Sequence, residues 1–294
     1  MDTKQIENFR KAGSIVKQVK EYARTIVKKD ASLLELAEKI EKKIIELGGK
    51  PAFPITFGIN EFTAHVTPTY NDVSKAHGLI KVDFGVAVKG CAADNAFSLD
   101  LEDSEENKKL IKASEESLES AIEAVKDKKT IGEIGSNVQK IAEKYNFSSV
   151  RNLSGHSISE GNLHAGITIP NFNNNNHHKL DDGIYAIEPF ITAGVGEVFD
   201  AKPSGIYEIR KLGNIRDSNA RKILDYITDE YGTLPFCSRW LIKKFSTRAL
   251  ISLRLMEQAG IIYQFDQLVE KSRSKVSQTE ATILVHKGNV EVLT

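Results

Sequence analysis

Residues 82–97 read VDFGVAVKGCAADNAF, with Asp83 and Asp94 as the only acids in the run. Lys89-Gly90 suits a two-residue hairpin turn. Strands paired about that turn set Asp83 opposite Ala96 and Asp94 opposite Gly85, which makes the two acids diagonal neighbours on one face. Two carboxylates on one face of a mostly apolar hairpin repel each other and lose hydration. A cation or an extensive hydrogen-bond set must compensate. A lone strand Asp is most often a solvated edge residue. Asp is depleted in strands, however, so a pair at this spacing shifts the balance toward chemistry. Asp83-Phe84-Gly85 also matches the kinase triplet, but no glycine-rich loop or His-Arg-Asp element accompanies it.

Three further segments carry residues of the same kind. NLSGHSISEGNLHAG (152–166) holds His156 after a glycine and His164 beside Ala-Gly. A lone histidine is more often a surface or satisfied core residue than a ligand, whereas two among small residues just after a predicted helix make a site and the bland reading equal alternatives. Glu188 stands in YAIEPF (185–190) and Glu280 in VSQTEATILV (276–285), both within strand-like apolar runs. A carboxylate there is expensive unless it meets a cation. Four acids and one imidazole form an oxygen-rich donor set that suits Mn, Fe, Co or Zn rather than a thiolate-type structural zinc. Two metals ~3.5–4 Å apart need roughly this many acids to bridge them.

The elements that must position these residues follow from periodicity. Apolar residues at three-to-four spacing predict helices over 4–28, from about 33 to Gly48-Gly49 (capped by Asp30 or Ser32), and over 104–127 and 130–145. Thr130 with Glu133 forms a capping box. Residues 51–70 read as loop with short strands, and residues 79–98 as strands. Strand-like, glycine-rich segments return from 150 to 200, interrupted by the polar loop NFNNNNHHKLDD (171–182). The order helix, helix, strands therefore occurs twice and suggests two similar halves, with no repeat at residue level. Helices are expected at 218–232, 236–244 and 247–259, as a helical block inserted between strands. Strand character resumes over 276–292, with a turn at Lys287-Gly288-Asn289.

Bulk properties exclude several classes. Lys+Arg and Asp+Glu are both 40, so the neutral chain carries no global footprint for nucleic acid or an acidic membrane. The N-terminal MDTKQIENFRKAG has no apolar h-region, and no stretch approaches eighteen uninterrupted apolar residues. Cys91 and Cys237 stand in unrelated contexts and suit a reducing compartment. The expected location is cytoplasmic, and the Asn-x-Ser matches at Asn146 and Asn152 are chance.

These segments resemble the methionine aminopeptidases of the creatinase, or pita-bread, superfamily. AFPITFGINEFTAHVTP (52–68), VDFG…ADNAF, SGHSI…LHAGI, AIEPF and QTEATILV fall in that family's order over nearly the whole chain. EYGTLPFCSRWL (230–241) is similar to the helical insertion of the type 2 enzymes, and the chain lacks the long charged N-terminal extension of eukaryotic members, as in the compact archaeal form. The resemblance implies an α+β pita-bread fold of two pseudo-symmetric halves with an inserted, winged-helix-like subdomain. Its catalytic domain would cover 1–200 and 264–294, and the insertion 201–263. It implies two divalent ions (Co, Mn, Fe or Zn) on Asp83, Asp94, His156, Glu188 and Glu280, with a bridging hydroxide that attacks the carbonyl after an N-terminal methionine. Glu188 would also be general base, His164 would stabilise the tetrahedral intermediate, and His65 would contact the backbone of the second residue. Phe53, Leu163, His164, His65 and Phe265 would line the substrate pocket. The partners implied are nascent polypeptide N-termini near the ribosome, with no DNA and no membrane, for a monomer.

Two positions depart from the family pattern. Ala281 stands where His is common, which affects hydrogen bonding around the ligands. Phe265 stands where Tyr is common, which removes a hydroxyl near the pocket. Two rivals share the fold. One is a prolidase or aminopeptidase P, which usually brings a full domain ahead of the first ligand. The other is a metal-free binding protein that has lost ligands.

Overall fold

The computed structural model describes residues 1–211 and 213–294. Among these the first half runs α1 (Thr3–Ile26), α2 (Leu33–Glu46), β1 (Lys50–Pro51), β2 (Thr56–Ile59), β3 (Phe62–Ala64), β4 (Leu79–Val88) and β5 (Cys91–Asp100). The second half runs α3 (Glu105–Lys126), α4 (Ile131–Lys144), β6 (Ser148–Ser149), β7 (Ser154–Ile158), β8 (Thr168–Pro170), β9 (Gly183–Ile187) and β10 (Phe190–Thr192). There follow β11 (Val198–Ile209), α5 (Ser218–Glu230), β12 (Phe236–Cys237), α6 (Ser238–Phe245), α7 (Ala249–Gln258) and β13 (Ile262–Glu270). The chain closes with β14 (Val276–Gln278), β15 (Ala281–His286) and β16 (Asn289–Val292).

Helix starts follow cap chemistry. The Ser32 hydroxyl, not Asp30, accepts from the Glu35 N–H to start α2; Asp30 instead holds a left-handed φ of 65° ahead of the cap. Thr130 and Glu133 form the expected reciprocal box on α4. The apolar stripes of α1 and α2 pack through Val16, Val19 and Ile40 onto Val82, Phe84 and Phe97 of the β4–β5 hairpin. Those of α3 and α4 pack through Leu110 and Ile134 onto Tyr185, Ile187 and Ile283 of the β9–β15 pair. Each half is thus two helices covering one face of a sheet, the layering that lets helical and strand periodicities share a core.

The two halves also share a turn. Lys89 and Gly90 adopt φ of 50° and 82°, and Lys287 and Gly288 adopt 51° and 76°. Positive φ at both positions matches the twist of tight hairpins. Asn289 is already paired with His286, so the second turn is two residues rather than three.

The segment 201–263 is less helical than its sequence suggests. β11 and β13 pair with each other, with β3 and with β12 in one four-stranded sheet. They straddle the expected boundaries at both ends. Register shifts between Asp200 and Tyr207 break the period of two, which hides the strand in the sequence. Between these strands α5, α6 and α7 gather Ile223, Ile227, Leu241, Leu253 and Met256 into their own apolar cluster. No helix among the described residues is long and apolar enough to cross a membrane. Cys91 and Cys237 are both buried and free.

Candidate metal centre

The β4–β5 register pairs Asp83 with Ala96 and Gly85 with Asp94, as the Lys-Gly turn requires. Both acids therefore face one cavity. Gly85 between them is a steric necessity, because a Cβ there would stand 2.6 Å from the Phe53 ring and 2.9 Å from Ala52 Cβ. Phe53 can close over the hairpin only above a glycine. The Asp94 backbone is locked by Thr282, whose hydroxyl accepts from the Asp94 N–H at 2.7 Å and donates to its carbonyl at 2.9 Å.

Glu188 and Glu280 are not inside strands. Glu188 follows the last residue of β9 and precedes Pro189 and β10, and Glu280 lies between β14 and β15. β9 and β15 belong to the five-stranded sheet, whereas β10 and β14 belong to a three-stranded one. Both acids thus sit where the chain switches sheets. The break in the ladder frees each residue to aim into the gap between sheets. The Glu280 N–H is held by the Ala96 carbonyl at 2.9 Å, which ties this crossing to the β5 strand.

His156 on β7 completes the group. Its Nε2 lies 3.6 Å from Glu188 Oε1 and 3.9 Å from Asp94 Oδ2. One donor atom each from Asp94, His156 and Glu280 falls within 4.8 Å of the others, and all three residues are buried. Burial pushes Asp83 up to about 7, while the nearby Gln278 carboxamide pulls it down. Burial, then the charge of Asp83, holds Asp94 well above the carboxylate range. Glu188 is raised by burial and by Asp94 and Asp83, and Glu280 by burial and by Asp94, Glu188 and Asp83. Burial and the neighbouring His164 push His156 down to about 3, so its ring is neutral.

The chain itself does not resolve this charge. Asp83 Oδ1 and Glu280 Oε1 are buried with no hydrogen-bond partner, and so is His156 Nδ1. Lys20 is the cation that bears on Glu280, and its influence ranks last. Orphan carboxylate oxygens converging with a neutral imidazole are the donor set of a hard-to-borderline divalent cation. The residues present fit such an ion.

The five residues line one cavity of about 370 Å³, together with Phe53, His65, Leu163, His164 and Phe265. All ten residues singled out in the sequence therefore meet there. The His164 ring lies 4.3 Å from that of His156. Solvent in the cavity reaches His164, but the surrounding protein is deep enough for burial to lower its pKa, with His65 adding to the effect. His65 holds a left-handed φ of 60°. Its Nδ1 lies 3.1 Å from the Asp266 carbonyl and its ring 5.2 Å from that of Phe265. Ala281 pairs with Ile187 and packs into the apolar core of the second half, away from the cavity.

Other residues of the wall are not among the candidate site residues of the sequence. Asn152, read as a chance sequon, exchanges two hydrogen bonds of 2.8 and 2.9 Å with the Val198 backbone and lines the cavity. Ile206 reaches it from β11, and Pro235 from the loop between α5 and β12. An Asn bonded to backbone forty-six positions away is invisible to local pattern.

The model of metallopeptidase family M24 matches residues 7–221. The chain is 39% identical to a methionine aminopeptidase of Methanocaldococcus jannaschii over 100% of both chains, and 40% identical to one of Pyrococcus abyssi over 98% of this chain and 99% of that one. In fold it is similar to a thermophilic Arx1 (TM-score 0.85, 14% identity, 100% and 91% of the chains). It is likewise similar to a methionine aminopeptidase of Rickettsia prowazekii (TM-score 0.71, 21% identity, 100% and 98%). Both structures share its pita-bread architecture of two pseudo-symmetric halves. The full-length relatives and the family match agree with the carboxylate-lined cavity: the chain belongs to metallopeptidase family M24.

Proposed function

We propose that the chain is a methionine aminopeptidase that removes the N-terminal methionine from peptides and nascent proteins. The carrying observation is the cavity itself, where two buried carboxylates, two half-buried ones and a neutral imidazole form the floor beneath a largely apolar wall. Full-length archaeal relatives that bear this name support the reading. Four carboxylates carry a formal charge of about −4, which two divalent ions balance. Asp83, Asp94, His156, Glu188 and Glu280 would hold them, as Co, Mn, Fe or Zn. When bound, the ions supply an activated water and polarise the scissile carbonyl.

The remaining work falls to side chains. Glu188, the most solvent-accessible of the four acids beside Asp83, takes the proton from the attacking water and passes it to the leaving amine, a role worth about 10²–10⁴-fold. His164 donates to the carbonyl oxygen as charge develops on it. The Asp266 carbonyl can only accept, so His65 carries its proton on Nδ1. Burial keeps the ring neutral. Its Nε2 is then an acceptor for the backbone N–H of the second residue. Phe53, Leu163 and Phe265 form the apolar pocket for the methionine side chain. We assign 1–200 with 264–294 to the catalytic unit and 201–263 to the insertion, and place the protein as a monomer in the cytoplasm, acting on N-termini as they leave the ribosome.

The test is a comparison of substrates with metal-loaded protein. Met-Gly-type peptides are cleaved and Xaa-Pro dipeptides are not. Cleavage of the Xaa-Pro series alone would make the protein a prolidase-type enzyme.

A further inference from the structure

A second cavity of about 300 Å³ opens from the first and shares His65, Phe265 and Leu268 with it. Its outer wall is formed by Phe199 and Asp200 of β11 and by Tyr263 and Asp266 of β13. Phe199 is 36% exposed and Tyr263 43%, unusual for large aromatics of a paired strand. Arg273 lies over the Phe199 ring and Arg210 over the Tyr263 ring, and neither arginine lines the groove. Arg210 is paired with Glu208 at 2.8 Å. Neither the Asp200 nor the Asp266 carboxylate has an ion-pair partner among the described residues. Both stand close enough to His65 to act on its charge.

Resting on the aminopeptidase reading, the direction of the substrate follows. Its first side chain fills the apolar pocket and the N–H of its second residue meets His65. Extended backbone advances ~3.3 Å per residue, so the next few residues must cross the space beyond His65. We infer that this groove carries substrate positions three to five, and that Asp200 and Asp266 make it select lysine or arginine there over aspartate or glutamate. The aromatic rings give the aliphatic stems of those basic side chains an apolar surface to lie on, with the charged head reaching the carboxylates.

Each carboxylate is solvent-accessible, so each acts like an exposed ion pair, worth at most about fivefold. Together they give a preference of roughly three- to tenfold in kcat/KM, carried mainly by KM because the contact is equal in ground and transition states. The preference must weaken in 1 M NaCl, where the screening length is ~3 Å.

The experiment compares Met-Gly-Gly-Lys-Lys, Met-Gly-Gly-Glu-Glu and Met-Gly-Gly on the metal-loaded wild type and on the Asp200→Asn/Asp266→Asn double variant. The expected result is a lysine-over-glutamate ratio of three- to tenfold in the wild type, reduced by salt and falling to near one in the variant. Because the ratio is taken within each protein, a change in overall activity of the variant does not affect it. A ratio near one in the wild type, or one that survives the double substitution, overturns the groove assignment while cleavage of Met-Gly-Gly leaves the aminopeptidase reading standing. Failure to cleave Met-Gly-Gly removes both.

Discussion

Two of the regions that bury carboxylates resolve the cost in opposite ways. Glu41 of α2 is 7% exposed and Arg239 of α6 is 3% exposed. Glu41 Oε1 accepts from Arg239 at 2.7 Å, and Oε2 accepts from Arg239 at 2.8 Å and from the Trp240 indole at 2.9 Å. The Arg239 Nε–H goes to the Pro68 carbonyl at 3.1 Å. Every charge there is answered from within the chain, in the bidentate geometry that makes an Arg–carboxylate pair strong. The cavity floor instead gathers four acids, two of them (Asp83 and Glu280) with orphan oxygens, and no strong cation. The Glu41 pair is a closed joint that fastens α6 to α2 and to the segment behind His65. The cavity is an open valence that a metal must fill.

The largest effect that separates the two is on turnover. In the roles proposed for Glu188, Glu188→Gln removes both a ligand oxygen's charge and the proton acceptor, so activity should fall by at least about 10²–10⁴-fold. The same variant should stay folded, because neutralising one of four crowded acids relieves repulsion. Circular dichroism and peptide hydrolysis read the two arms, and undiminished hydrolysis would refute the base assignment.

The closed joint predicts the reverse pattern. Arg239→Met leaves Glu41 buried and unpaired, which should cost about 3–5 kcal/mol in urea unfolding, with or without metal. Adding Glu41→Leu should recover most of that loss, since a well-packed apolar pair replaces a buried ion pair at little cost. A loss that vanished on adding divalent metal would mean the joint and the cavity are one system, and the contrast would be false.

The open valence predicts a pH dependence of stability for chelated protein. Asp83, Asp94, Glu188 and Glu280 all have folded-state pKa values above their unfolded ones, so the folded state holds their protons more tightly. Their stabilising contribution is full below about pH 4 and is lost as pH rises through about 7, the value of Asp83. Divalent metal at a hundred times its Kd should add about 2.7 kcal/mol and flatten this slope. Thermal unfolding at pH 5, 6 and 7, with EDTA and with metal, checks it. A metal-free midpoint that does not fall with pH would show the acids are already satisfied.

The same contrast explains what the sequence could disclose. Asp83 and Asp94 were legible because a Lys-Gly turn sets the register of a hairpin, and register sets the face. The two-half architecture was legible because amphipathic helices and hairpins recur in the same order. Glu188 and Glu280 were legible as acids in apolar runs, but not as sheet-switching residues, because a break in a ladder depends on partners far along the chain. His156 stood out only through its neighbours' likeness to a family. β11 and β13 were hidden by bulges. Arg239 and Glu41 were beyond reach, since 198 positions separate them and each alone reads as an ordinary helix-surface charge.

Lys81 supplies the smallest and sharpest probe of the contrast, being a buried cation answered by neither strategy. It is 1% exposed, and its Nζ donates to the Asn60 carbonyl at 2.9 Å and the Val276 carbonyl at 2.8 Å. Burial pushes its pKa down to about 7. A neutral amine has two N–H bonds, which the two carbonyls match, so deprotonation leaves the site satisfied. Between about pH 7 and 10 the unfolded chain binds the proton that the folded chain has released, so Lys81 makes stability rise with pH there. Lys81→Met keeps the packing but strands both carbonyls, at a cost of about 1–3 kcal/mol. The deficit relative to wild type should be greatest near pH 10 and shrink toward pH 6, where the wild type carries a desolvated charge. Urea midpoints of the two proteins across that range test it. A deficit that grows toward acid pH would mean the charged ammonium, not the amine, is the form this site was built to hold.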